Sequence, residues 1–161
     1  MGPVRPLFLS GSYELTIDEK NRMLVPSEVR RQLVPERDGE GFYILHGIDE
    51  HLWFYPELQY EALASRDPTE LKPSFGLLDD YRANFGMATR ILWDKQGRIL
   101  IPEKYLTDPD IGKNVTFVGV RDHMELWRTD EWTAECERLK NKRREDARKA
   151  RELAKQPPGA M

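Results

Sequence analysis

One cysteine, Cys136, is all this chain of 161 residues contains, which excludes an intramolecular disulfide and any metal centre built on several thiolates. No stretch reaches the roughly 18 apolar residues of a membrane-spanning helix. The apolar run Leu7-Phe8-Leu9 follows Pro6 and is too short for a signal peptide. A cytoplasmic location is therefore expected, with no membrane partner. Absent too are a glycine-rich phosphate loop and a nucleophile beside a base at a recognisable spacing. Gly11-Ser12 is too common a dipeptide to support a self-cleavage reading. The chain is expected to be no enzyme and to need no cofactor or metal. A large excess of positive charge is also missing. With 25 Lys and Arg against 28 Asp and Glu, the net charge is −3. Any contact with a polyanion must be local, made by a few loops or by the tail.

The chain does contain a repetition. Asp18-Glu19-Lys20-Asn21-Arg22-Met23-Leu24-Val25-Pro26 returns as Asp94-Lys95-Gln96-Gly97-Arg98-Ile99-Leu100-Ile101-Pro102. The shared pattern is Asp, three mostly polar residues, Arg, three apolar residues and Pro. A second block repeats as well: Gly47-Ile48-Asp49-Glu50-His51-Leu52-Trp53 corresponds to Gly119-Val120-Arg121-Asp122-His123-Met124-Glu125. The stretch between the two blocks is a few residues shorter in the second copy, as a surface-loop deletion would leave it. Two copies are too few for a solenoid and fit two halves of one core or two small packed domains.

Within each copy the chemistry is that of a turn. An aspartate can accept hydrogen bonds from backbone N–H groups two and more residues ahead. Asn21 and Gly97 are the residue types that best tolerate positive φ. These features assign Asp18, Asn21, Asp94 and Gly97 to shaping the loops. Arg22 and Arg98 then leave the turns with their guanidinium groups free for phosphate or for guanine O6 and N7. Lys20 and Lys95 stand beside them as phosphate contacts. A carboxylate would be repelled by DNA, so the aspartates are expected to hold the loops rather than touch the ligand.

Around the loops the periodicities predict an extended Leu7–Ile17, a strand at Met23–Val25 and a short helix over Ser27–Leu33 opened by Pro26. Further strands are expected over 41–45 and 51–55, helices over 57–64 and 77–85, and linker chemistry over 65–74. The second copy repeats the scheme, with strands to Trp93 and over 98–101, 115–120 and 123–127. A last helix capped by Asp130 carries a basic run: residues 137–155 hold nine Lys and Arg against four Asp and Glu. That run reads first as a solvated helix and alternatively as a second DNA-backbone contact. His51 and His123 occupy equivalent positions near acidic residues, but no third ligand stands at a telling spacing, so they are expected to pack. The tryptophans Trp53, Trp93, Trp127 and Trp132 are expected in a core or a subunit interface.

Tyr13 to Pro26 and Leu92 to Pro102, with Gly119-Val120-Arg121-Asp122-His123-Met124-Glu125-Leu126-Trp127 and Trp132, resemble the doubled signatures of the MraZ transcriptional regulators over residues 8–135. The resemblance implies a β-rich α+β fold of two tandem SpoVT-AbrB-like modules with swapped-hairpin or double-psi topology. On that basis residues 12–59 are repeat 1, 60–87 a linker and helix, 88–131 repeat 2, and 132–161 a charged helix with a disordered end. It also implies a ring-like homo-oligomer that binds direct repeats in promoter DNA, on the nucleoid. Such a regulator usually represses the division and cell-wall gene cluster. Asn21, where the family usually has glycine, the extension before Gly11 and the long basic tail depart from the pattern. The alternative is a protein-interaction or adaptor module on the same β scaffold without DNA binding.

Overall fold

The computed structural model describes residues 5–66, 75–107 and 110–159. Strand β1 (Ser12–Thr16) turns Tyr13 and Leu15 inward and Ser12, Glu14 and Thr16 outward, the period-two pattern of a half-buried strand. After a turn come β2 (Arg22–Leu24), α1 (Ser27–Gln32), the short α2 (Pro35–Asp38), β3 (Gly41–His46), β4 (Leu52–Pro56) and α3 (Glu57–Ala64). Next come α4 (Phe75–Tyr81), a π-helical turn (Arg82–Gly86), β5 (Thr89–Leu92), β6 (Arg98–Leu100), α5 (Glu103–Thr107), β7 (Asn114–Gly119), β8 (Met124–Arg128) and α6 (Thr129–Ala154). The protein is thus α+β and rich in antiparallel strands.

The order of the main sheet, β1-β7-β8-β4-β3-β5, explains how the two copies combine. Each copy builds a hairpin from its last two strands, β3 with β4 and β7 with β8. The edges are completed by exchange. β1 pairs with β7 of the other copy (Tyr13 opposite Phe117), and β5 pairs with β3 (Phe42 opposite Ile91). The two hairpins meet through β4 and β8, with Trp53 opposite Glu125. The loop strands form a separate ribbon in which Met23 faces Ile99. Of the two arrangements the repeat allowed, two halves of one core is the one adopted.

Burial follows this topology. Phe42, Phe54 and Phe117 are fully buried and pack edge to face, with ring centroids 5.9, 5.1 and 6.1 Å apart. They come from both copies, so neither copy has a complete core by itself. Truncating one of them to alanine costs about 3–5 kcal/mol. Met23, Val25, Ile99 and Ile101 are also buried, which fastens the ribbon to the same core.

The helix α2 has no counterpart in the sequence expectations. Its Asp38 is fully buried, accepts the Val34 N–H at 2.8 Å and pairs with Arg37 at 2.6 Å. The last helix also differs from expectation. It starts at Thr129, so Asp130 lies inside its first turn and its Oδ1 accepts the N–H of Glu131 rather than capping from outside. Residues 67–74 of the expected linker lie outside the described residues. Two compact units are distinct, one ending at Arg128 and one beginning at Thr129. Among the described residues no helix is long and apolar enough to cross a membrane.

Candidate nucleic-acid interface

The two loops share one bonding scheme. Asp18 Oδ1 accepts the N–H groups of Lys20 and Arg22, each at 2.9 Å, and its Oδ2 accepts the Arg22 Nε–H at 2.9 Å. Asp94 Oδ1 accepts the N–H groups of Gln96 at 2.9 Å and Arg98 at 3.0 Å, and Oδ2 accepts the Arg98 Nε–H at 3.1 Å. The backbone reverses through Asn21 at φ 62° in one loop and Gly97 at φ 81° in the other. Gly97 has a further constraint. A Cβ there would come within 2.7 Å of the Arg30 guanidinium carbon, which lies against the second loop.

The guanidinium groups are therefore not free, contrary to the expectation from the sequence. Each is tethered by Nε to the aspartate four residues before it. The tether leaves the terminal nitrogens of Arg22 without a hydrogen-bond partner among the described residues, and those of Arg98 with one long contact to Gln96 at 3.4 Å. Each arginine side chain keeps about a third of its surface in solvent (33% and 35%). The hydrogen bond from the Arg22 backbone N–H, above all, holds the Asp18 carboxyl below the usual carboxylate range, against the opposing effect of burial. Asp94 is lowered in the same way by Arg98. Both aspartates stay ionised at neutral pH, so each loop presents a cation whose charge is partly compensated and whose direction is fixed.

The ribbon sets where the loops point. Arg22 is opposite Leu100 and Leu24 opposite Arg98, so the two arginines occupy diagonal corners of one ribbon face while Met23 and Ile99 fill the other face. Adjacent strands lie about 5 Å apart and alternate residues about 7 Å apart along a strand, which brings both arginines into a patch under ~10 Å across. Lys20 and Lys95 are exposed in the same turns. Arg30 is a cation that sequence reasoning passed over. It sits on α1 one position after the inward Val29, and its Nε–H donates to the Val25 carbonyl at 3.2 Å. The corresponding residue of the second copy is Leu106, which lies by the first loop with Asn21.

The histidines form a second cluster on the main sheet. His51 stacks on Trp127 and His123 on Trp53, with centroids 3.6 and 4.1 Å apart. His123 is buried, with Asp122 at 2.8 Å from Nδ1 and Glu125 at 2.9 Å from Nε2. Burial disfavours its charge, but the two carboxylates outweigh it and raise its pKa above the ordinary histidine value. Trp127 donates its ring N–H to the same Glu125 at 3.0 Å. The arrangement is aromatic packing around an ion pair. No group of three metal-ligating side chains occurs among the described residues. In the C-terminal unit part of the basic run is internally paired: Arg148 contacts Glu145 and Glu152, and Arg138 contacts Glu135.

Fold and loops together define a class: strand-exchanged β proteins that display a duplicated aspartate-tethered arginine hairpin. The sequence matches the family described as "MraZ protein, putative antitoxin-like" over residues 8–74 and 85–154, and the chain belongs to the MraZ family. Among curated relatives, a "Transcriptional regulator MraZ" of Clostridium tetani is 33% identical over 126 residues, which cover 76% of this chain and 82% of that protein. A protein of the same name from Ligilactobacillus salivarius is 33% identical over 127 residues, covering 77% and 83%. One from Limosilactobacillus fermentum is 28% identical over 124 residues, covering 77% and 83%.

Proposed function

We propose that this chain is a transcription regulator that binds double-stranded promoter DNA through Arg22 and Arg98, with Lys20 and Lys95 on neighbouring phosphates. The observation that carries the reading is the ribbon, which holds two equivalent, pre-oriented arginines at diagonal corners of one face. A two-stranded ribbon fits the major groove, and a guanidinium with its terminal nitrogens outward suits guanine or phosphate. The relatives named transcriptional regulators support the same class. We further propose a ring-like homo-oligomer that sets these ribbons at regular spacing against direct repeats in the promoter. Linked copies would raise avidity by about 10²–10⁴ where they engage together. The site of action is the cytoplasmic nucleoid, and the outcome is repression of the division and cell-wall gene cluster.

The aspartate tethers favour a second reading, because a compensated arginine suits an acidic protein partner as well as DNA. Gel retardation of the fragment upstream of the chain's own gene separates the two. The DNA reading predicts retardation that weakens with salt and is lost in Arg22→Ala and in Arg98→Ala, with circular dichroism and oligomeric mass unchanged. Retardation of that fragment by either variant as strongly as by the native chain contradicts it. Absence of salt-dependent binding by the native chain, with a stable protein partner in pull-downs, favours the adaptor.

A further inference from the structure

We propose that Leu24 and Leu100 are specificity-determining contacts, each seated on the C5-methyl group of a thymine in the major groove. The inference rests on the DNA-binding reading above and adds what that reading leaves open, namely which base edges the ribbon selects besides those met by arginine. Leu24 is 49% exposed and Leu100 59% exposed. A single exposed leucine calls for no explanation. Here two occupy equivalent positions of a duplicated unit, and each stands directly opposite a candidate DNA-contacting arginine.

The comparison of the two copies sharpens the point. At the buried positions on either side, the side chain differs between copies: Met23 against Ile99, and Val25 against Ile101. At the solvent-facing position between them, both copies carry leucine, where burial imposes nothing and a polar residue would cost nothing. The ribbon face thus alternates Arg22, Leu100, Arg98 and Leu24 around a small square. The leucines lie on the diagonal left by the arginines, with Cα atoms roughly 8 Å apart. Stacked base pairs are about 3.4 Å apart, so that diagonal spans roughly two base-pair steps. A thymine presents its methyl group beside an O4 acceptor in the major groove, an apolar contact next to a polar one. A face of alternating leucine and guanidinium matches that surface in both shape and polarity.

The test uses the full chain and the fragment upstream of its own gene, amplified once with dTTP and once with dUTP, so that every thymine methyl in the amplified region is removed while base pairing is kept. The native chain is expected to bind the uracil fragment at least about tenfold more weakly, from roughly fourfold for each methyl group taken away from a leucine. The Leu24→Ala/Leu100→Ala variant is expected to bind the thymine fragment with a similar reduction and to make no distinction between the two, with unchanged oligomeric mass. Equal affinity of the native chain for both fragments overturns the proposal without reference to any variant. So does a double variant that still prefers thymine, or one whose oligomeric mass falls, which would assign the leucines to a contact between copies. If the native chain shows no preference for either fragment over random DNA, the DNA-binding reading falls and this inference falls with it.

Discussion

At the scale of single residues, the aspartate decides what each loop arginine can do. A free arginine side chain loses up to about 2 kcal/mol of rotamer entropy when it is fixed by a ligand. The Asp18–Arg22 and Asp94–Arg98 tethers meet part of that cost before binding, at the expense of some attraction. Replacing both aspartates by asparagine keeps an oxygen for the backbone N–H groups but removes the compensating charge. Asp18→Asn/Asp94→Asn is therefore expected to bind random DNA more tightly while its preference for promoter over random DNA falls by about tenfold, read by competition titration. An unchanged preference would show that the tether has no orienting role. The sign of the pH effect follows from the lowered carboxyl pKa values. The stability these groups contribute is present above their unfolded pKa and is lost only as pH falls through the depressed folded values, so they impose no change on the loops between pH 5 and 8. The turn itself was legible, since Asp, Asn or Gly, and Arg at fixed offsets describe local hydrogen bonding. The tether through Nε was not, because nothing in the pattern says which way a long side chain folds back. Arg30 escaped for a different reason: it comes next to Gly97 only through the pairing of β2 with β6, which lies far outside any local window.

At the scale of elements, short local signals place most of the strands to within a residue or two, whereas the helix expected over 77–85 is α-helical only over Phe75–Tyr81 and continues as a π-helical turn to Gly86. The helix Glu57–Ala64 has the expected bounds, and the helix at Ser27 follows from the spacing of Val29 and Leu33, with Pro26 as its N-cap rather than its first residue. The family resemblance implied a swapped-hairpin or double-psi topology but not which strands are exchanged, and periodicity could not supply β1 and β5, because alternation fixes which face a strand buries but not its neighbour. The four-residue α2 was missed because it has no room for a helical period, and its stability comes from the buried Asp38 with Arg37 and Gln59. The β4–β8 junction carries a titratable element. His123 faces Asp122 and Glu125, stacks on the ring of Trp53 and touches that of Tyr55. Its raised pKa means that its stabilisation is complete below the unfolded histidine value and is lost as pH rises through the folded one. The melting temperature is therefore expected to fall as pH rises above about 6.5, the ordinary histidine value, and His123→Asn is expected to flatten that slope. A native profile already flat above that pH would contradict the ion-pair account.

At the scale of the whole molecule, strand exchange makes the two copies one folding unit. Among the described residues β1 finds its strand partner in β7, and β5 in β3, so a fragment of residues 12–59 lacks the partner of β1, the edge strand β5 and Phe117, one of the three core phenylalanines. Such a fragment is expected to be unfolded by circular dichroism, and mixing it with residues 75–131 is expected to restore β signal. A folded, cooperative 12–59 fragment would rule out the shared core. The same exchange places both arginine loops in one ribbon and on one face, which two independent domains would not do. The central claim, that this ribbon carries the DNA contact, is tested most directly by the salt dependence of binding to the fragment upstream of the gene, native chain against Arg22→Ala/Arg98→Ala. The claim predicts that the native log–log slope drops by about 0.9 for each phosphate the variant no longer neutralises and that preference over random DNA disappears. A double variant of native mass and secondary structure that keeps both the slope and the preference would contradict it.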